Sequence, residues 1–308
     1  MAAPIVYRWD DGNAPVARGE RRSLCDILYA CLVTGYGSKP GAGWTREYVN
    51  ATFDKAAFRN NPLTGTGFFL QVDGFGAANA YTPIVQGFEA MTSESDGLFP
   101  FNASTQAGPL SNAANTTARP WILMADDRAF YFFCWSTITG TPNNTHWYTT
   151  AMFFGDPVSR YPIDPYCCGL VCNGSNGSFG YVYSSDSITG ALGGPGFAMP
   201  RRATGAAGSI LSIPIRGGGP GASALMGATG LPYTPGDQIL ITRPHLNEAE
   251  AYSFRGWLPG LYYPCHPSAF TQLQNINSDG KSFINILTRA VNVTGAGNFF
   301  ISLDDWRI

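Results

Sequence analysis

Residues 120–135 read PWILMADDRAFYFFCW. Trp121 to Met124 and Phe130 to Trp135 are nearly unbroken apolar runs of strand length, rich in aromatic residues. Between them lies ADDR, a short polar segment whose aspartates favour a turn. Two such runs joined this way predict a β-hairpin. An antiparallel strand with one wet face alternates apolar and polar residues; these do not. The hairpin is therefore expected at the centre of the molecule, covered on both faces. Trp147 to Phe154, WYTTAMFF, predicts a third strand, ended by Gly155-Asp156-Pro157.

Working outward, Phe58-Arg59 and Phe68 to Val72 flank NNPLTGTG as a hairpin-like pair. Ile84, Gln86, Phe88 and Ala90 form an alternating run. Ser93 to Arg119 is Asn/Thr/Ser/Gly-rich and aperiodic, and reads as a long surface loop. Residues 155–238 are the loosest part, with GGPG, GGGPG and LPYTPGD separated by short apolar runs. Strand patterns return at Gln238 with QILITR, AYSFRGWLPGLYYPCH, SFINILTRAVNV and NFFISLDDW. No fixed period supports a solenoid.

One segment breaks the β pattern. Leu24, Ile27, Leu28, Cys31 and Leu32 fall at helical spacing and make one apolar stripe. Ser23 is expected as N-cap, with Asp26 completing a capping box. Gly35 stands where a left-handed stop is wanted, and Pro40 blocks a restart. The fold class expected is thus mainly β, a sandwich or mixed antiparallel sheets, loop-rich, with one N-terminal α-helix at about residues 23–34. Residues 1–22 are expected as an extended N-terminal arm, 23–160 as a helix plus β-sheet domain, and 161–308 as a loop-rich β region. One continuous domain fits equally. Ile5, Tyr7, Trp9, Tyr36 and Trp44 are candidate assembly residues on the arm and on the helix exit.

Charged residues make up only 13% of the chain, about half the usual share. There are 37 glycines, 22 prolines and 14% aromatic residues. Lysine occurs only at Lys39, Lys55 and Lys281. Low charge with many aromatics matches surfaces covered by neighbouring proteins. The net charge is −2 with no basic run, which argues against direct nucleic-acid binding. No run of 18 apolar residues predicts a membrane span. The start, MAAPIVYRWDDG, lacks the apolar core of a signal peptide, so synthesis in a cytosol is expected.

Catalytic patterns are thin. His146, His245 and His266 are not paired at ligand spacing, and CCGLVC at 167–172 with Cys265-His266 is a weak metal pattern. Neither a metal nor another cofactor is expected. Asp10-Asp11, Asp126-Asp127 and Asp304-Asp305 read as turn formers; a glycosidase would need two carboxyls facing across a cleft. GxSxG, a P-loop and GxGxxG in a strand–helix context are absent from the sequence. Seven N-x-[ST] sites, at Asn50, Asn102, Asn115, Asn143, Asn173, Asn176 and Asn292, fit chance in an Asn/Thr/Ser-rich chain. The odd number of cysteines leaves Cys167, Cys168 and Cys172 as candidate intersubunit thiols, with one of the adjacent pair buried and one exposed. The chain is expected not to be an enzyme.

Six ordered blocks carry a resemblance. They are PIVYRWDDGNAPV (4–16), SLCDILYACLVTGYGSKPGAGWT (23–45), TARPWILMADDRAFYFF (117–133), FFGD (153–156), RGWLPGLYYPCH (255–266) and GNFFISLDDW (297–306). Together they resemble virion structural proteins of tailed bacteriophages over most of the chain, least so at about 160–238. The resemblance implies a tail-associated virion component, made in the bacterial host cytoplasm, whose partners are other virion proteins and copies of itself. Capsid decoration or binding of a host-surface glycan is the alternative role, and a glycan-degrading enzyme a remote one. It brings no catalytic residues.

Overall fold

The computed structural model describes residues 3–75, 80–101, 106–143, 150–172, 199–206, 241–243, 245–248, 253–264, 270–278, 280–287, 298–304 and 306–307. The protein is mainly β, with four antiparallel sheets among the described residues and one helix near the N-terminus. Most of the Gly/Pro-rich insertion, the Cys265-His266 pair, His146 and the sites at Asn102, Asn173, Asn176 and Asn292 lie outside the described residues.

The central sheet has the order β1 (Ile5–Arg8), β8 (Trp121–Ala125), β9 (Ala129–Cys134), β10 (Thr150–Gly155), β12 (Gly169–Cys172). The β8–β9 hairpin sits in its middle, with Trp121 opposite Cys134 and Ala125 opposite Phe130. Every residue of β8, β9 and β10 is buried. Strand geometry sends neighbouring side chains to opposite faces, and here both faces are covered. Trp121, Leu123, Phe130, Phe132, Met152 and Phe154 enter one hydrophobic layer. Ile122, Met124, Tyr131, Phe133, Ala151 and Phe153 enter the other. That is why the sequence shows continuous runs instead of alternation.

The first layer is closed by the helix and by the six-stranded sheet β2 (Thr45–Val49), β3 (Lys55–Arg59), β4 (Phe69–Asp73), β5 (Ile84–Met91), β6 (Gly97–Pro100), with β7 (Gln106–Ala107) also on β5. Its Ala56, Phe58, Leu70, Val72 and Val85 face the central sheet. The second layer is closed by the C-terminal strands. β13 (Ile241–Thr242), β16 (Leu261–Pro264), β19 (Asn298–Ser302), β18 (Lys281–Leu287) and β17 (Asn275–Ser278) form one sheet, and β11 (Val158–Ser159), β15 (Ser253–Trp257) and β14 (His245–Glu248) another. Leu261, Ile284, Ile286 and Ile301 pack inward from them. The helix and the six-stranded sheet thus cover one face of the central sheet and the C-terminal strands the other, while β12, from beyond residue 160, completes the central sheet itself.

Several local expectations are corrected. The helix runs as α1 (Ser23–Leu28) and continues as a wider π-helical turn over Tyr29–Thr34. All five stripe residues are buried as expected, and so is Cys25, so the covered face is broader than the stripe. Ser23 is not the N-cap: Arg22 holds that position, and the Ser23 hydroxyl accepts from the Arg18 amide and donates to the Val16 carbonyl. Asp26 makes an i,i+4 ion pair with Arg22 instead of a capping box. Gly35 does stop the helix at positive φ, where a Cβ would lie 2.3 Å from the Lys39 carbonyl oxygen. The segment 93–119 is more than a loop. It contains β6 and β7, and Leu110 and Arg119 are buried. Strands of four and two residues are too short to show a period.

Candidate functional site

The residues expected to reach a neighbouring subunit are engaged within this chain. β1 pairs antiparallel with β8, Tyr7 opposite Leu123. Tyr7 is fully buried, and its hydroxyl donates to the Pro40 carbonyl at 2.7 Å. Trp44 is buried against Phe130 and Phe154, and its Nε1–H donates to the Asp126 carbonyl at 2.8 Å. Ile5, Trp9 and Tyr36 are half-buried on the same layer. The arm and the helix exit hold each other: Asp11 Oδ2 accepts from the Arg8 amide, the Tyr36 hydroxyl and Lys39 Nζ. Burial alone would raise the Asp11 carboxyl. The hydrogen bonds from Lys39, Arg8 and Tyr36 outweigh it and hold the carboxyl below its ordinary value.

The three candidate intersubunit thiols are buried as well. Cys167 and Cys168 point into opposite layers, and both are covered because both faces of the sheet are. The expectation of one exposed thiol fails for that reason. Burial raises all three thiols, Cys172 to about 12, so they stay protonated and unreactive in the fold.

The feature that does open to solvent was not singled out from the sequence. Three turns and the end of the chain meet at one edge of the central sheet: NNPLTGTG after β3, ADDR in the central hairpin, Gly155-Asp156 after β10, and Arg307. Asp126 Oδ1 accepts from the amides of Arg128 and Ala129, the turn-forming role expected of it. The same carboxylate also takes Arg307 in a two-point pair at 2.9 and 3.0 Å. Asp127 Oδ2 accepts from Asn61 Nδ2 and from the Thr64 hydroxyl. Asp156 is buried, accepting from Asn60 Nδ2, the Thr66 amide and the Thr66 hydroxyl. Burial raises its carboxyl, while Thr66, Arg307 and Arg128 pull the other way. Gly155 is required here: at φ 131° a Cβ would lie 2.2 Å from the Arg128 carbonyl oxygen.

Asp156, Arg128 and Arg307 line a cleft of about 400 Å³. One wall carries Thr64 and Thr66, the other Ser159, Tyr161 and Ile163. The second wall is held by a fully buried two-point pair, Arg255 to Asp164, at 3.0 and 3.1 Å. Arg128 and Arg307 both line the cleft but are held differently. Its Nε lies 3.5 Å from Asp156 Oδ2, but the atom is buried without a hydrogen-bond partner. The contact is an ion pair without hydrogen-bond geometry.

Two carboxylates, Asp156 and Asp164, line this cleft. Asp164 receives Arg255, the Ser159 hydroxyl and the Tyr166 amide. With Asp156 held as described, both are occupied by structural donors, and the arrangement offers N–H donors to a ligand more readily than a proton shuttle. Among the described residues no cluster of three or more His, Cys, Asp or Glu could hold a metal ion. No helix among them is long and apolar enough to cross a membrane. The NNPLTGTG, ADDR and FFGD turns are each legible in the sequence; the fold brings them together with Arg307. No protein-family model and no curated protein matches the chain.

Proposed function

We propose that this chain is a structural component of a tailed-bacteriophage virion, in the tail, baseplate or fibre-attachment assembly. It acts through contacts with other virion proteins and with copies of itself, is made in the host cytoplasm, and performs no catalysis. One observation carries the reading: the six blocks that bear the resemblance interlock. Trp121 Nε1–H donates to the Pro15 carbonyl, joining the hairpin to the first block. Trp44 joins the second block to Asp126. The Tyr131 hydroxyl donates to the Pro259 carbonyl, and Trp306 packs edge-on against Tyr131 at 5.4 Å. Arg307, next to the last block, bonds the Asp156 carbonyl of FFGD. The blocks thus form one connected framework around the central sheet, which suits a part of an assembly.

A second reading, capsid decoration or recognition of a host-surface glycan, is favoured by the cleft, which is lined by both Arg128 and Tyr161, the latter 37% exposed. Quantitative mass spectrometry of gradient-purified particles tests the virion assignment. The chain is expected at a fixed copy number per particle. Its absence from washed particles would overturn the assignment.

A further inference from the structure

β1 is the edge strand through which another chain could reach the central sheet. The other edge strand, β12, is buried throughout, while Ile5, Val6 and Arg8 of β1 are half-buried. In an antiparallel ladder, successive residues turn their N–H and C=O groups to opposite sides. Ile5 and Tyr7 stand opposite Ala125 and Leu123, and the Trp9 amide donates to the Trp121 carbonyl, so the odd-numbered residues face β8. Val6 and Arg8 therefore aim their backbone groups away from the sheet. An open row of such groups is a template for a further strand.

Here the row is filled from inside the chain. Lys39 Nζ donates to the Val6 carbonyl at 2.7 Å. The Arg8 amide donates to Asp11 Oδ2 at 2.7 Å, with the Tyr36 hydroxyl oxygen 3.1 Å away as a second acceptor. The Arg8 carbonyl accepts from the Asp11 amide at 3.2 Å. Of the four outward groups, only the Val6 amide is left over among the described residues. Tyr36 and Lys39 reach the strand from one tight turn, in which each amide bonds the other's carbonyl at 3.0 Å. Gly37 makes that turn possible: its φ is 57°, and a Cβ there would lie 2.7 Å from the Gly12 carbonyl oxygen. Asp11 Oδ2 also accepts from Lys39 and from the Tyr36 hydroxyl, so the three side chains hold one another over the edge.

We propose that Asp11, Tyr36 and Lys39 form an autoinhibitory clasp on β1, occupying the edge at which the β1 of a second copy would otherwise pair. Two β1 edges meeting antiparallel about a two-fold axis present the same groups to each other, those of Val6 and Arg8, so the strand is its own competing partner. With the clasp closed, the central sheet stays five-stranded and contacts between copies form on other surfaces. The inference concerns the purified chain and stands apart from the virion assignment, which particle composition decides.

The test combines Asp11→Ala, Tyr36→Phe and Lys39→Met in the full-length protein to free the edge. Analytical ultracentrifugation over a concentration series compares it with the wild-type chain. The open variant is expected to dimerise with a dissociation constant at least about tenfold below any that the wild type shows. Adding Val6→Pro is expected to return it to the wild-type state. Proline is tolerated on an edge strand where the N–H faces outward, and it removes a donor that a second strand needs. In the wild-type protein, hydrogen exchange read by NMR is expected to be slower at the Arg8 amide than at the Val6 amide, although both point off the sheet. An open variant with a native melting profile and the wild-type association state would overturn the proposal. So would dimers that persist with Val6→Pro, or an Arg8 amide that exchanges as fast as that of Val6. If the triple variant fails to fold, Tyr36→Phe with Lys39→Met, which leaves the Asp11 turn intact, takes its place under the same criteria.

Discussion

The Tyr36 hydroxyl donates to Asp11 Oδ2 at 2.8 Å, tying the exit of the helix to the N-terminal segment 25 positions before it. Lys39 Nζ reaches the same oxygen at 2.6 Å. The stretch that reads as an extended N-terminal arm and the exit of the helix are therefore one buttress, built inside the chain. Tyr36→Phe and Asp11→Asn are each expected to lower unfolding free energy by about 1 kcal/mol, the usual worth of such a bond.

The Asp11 contribution also has a predicted pH dependence. Its carboxyl is held below the ordinary value of 3.8 in the fold. A carboxyl depressed in this way binds fewer protons folded than unfolded, so its stabilisation is fully present above 3.8 and fades as pH falls through the folded value. The stability difference between the wild-type protein and Asp11→Asn should be constant near neutrality and shrink below pH 3.8. Denaturant titrations across that range measure it.

Removal of residues 1–16 is expected to damage the monomer itself. It strips β1 from the edge of β8 and takes away Tyr7, and losing a buried aromatic side chain costs about 3–5 kcal/mol. It also bares the edge of a fully buried strand, a template for aggregation. Size-exclusion chromatography and thermal melts should show aggregation and a lower melting temperature. A truncated chain that melts normally and fails only in particle assembly would restore the view of this segment as a free arm.

Arg255 and Asp164 form a pair with essentially no solvent access. Removing one partner leaves the other charge buried, so Arg255→Met should cost about 3–5 kcal/mol. Replacing both, as Arg255→Met with Asp164→Leu, should recover part of that loss, because the orphaned charge is gone. Urea unfolding of both variants gives the comparison.

Cys167, Cys168 and Cys172 should resist alkylation in the native protein and react once it unfolds. Burial covers the three sulfur atoms and keeps them as thiols. Peptide mapping after iodoacetamide treatment, with and without denaturant, reads the outcome site by site. A disulfide-linked dimer through any of the three would contradict it.

Much of the β framework is legible in the residues. Continuous apolar runs at 121–124 and 130–135 identify a strand pair covered on both faces, and Phe68, Leu70 and Val72 mark β4. The helical stripe marks α1, although its π-helical end over Tyr29–Thr34 has no sequence signature of its own. The short strands β6 and β7 stay hidden because they hold too few residues for a period. The cleft was the least legible part. Asp126 reads correctly as a turn residue, yet its pairing with Arg307 spans 181 positions, and nothing local announces it. Exposure misled in the opposite direction: Tyr7 and Trp44 look like interface aromatics, but the covered central sheet takes them inside.

Electron microscopy of particles carrying a gold label on this chain tests the central claim most directly. The account predicts label at one fixed position on the tail, baseplate or fibre attachment, repeated with the symmetry of that structure. Label confined to the capsid surface, or particles that carry none, would contradict it.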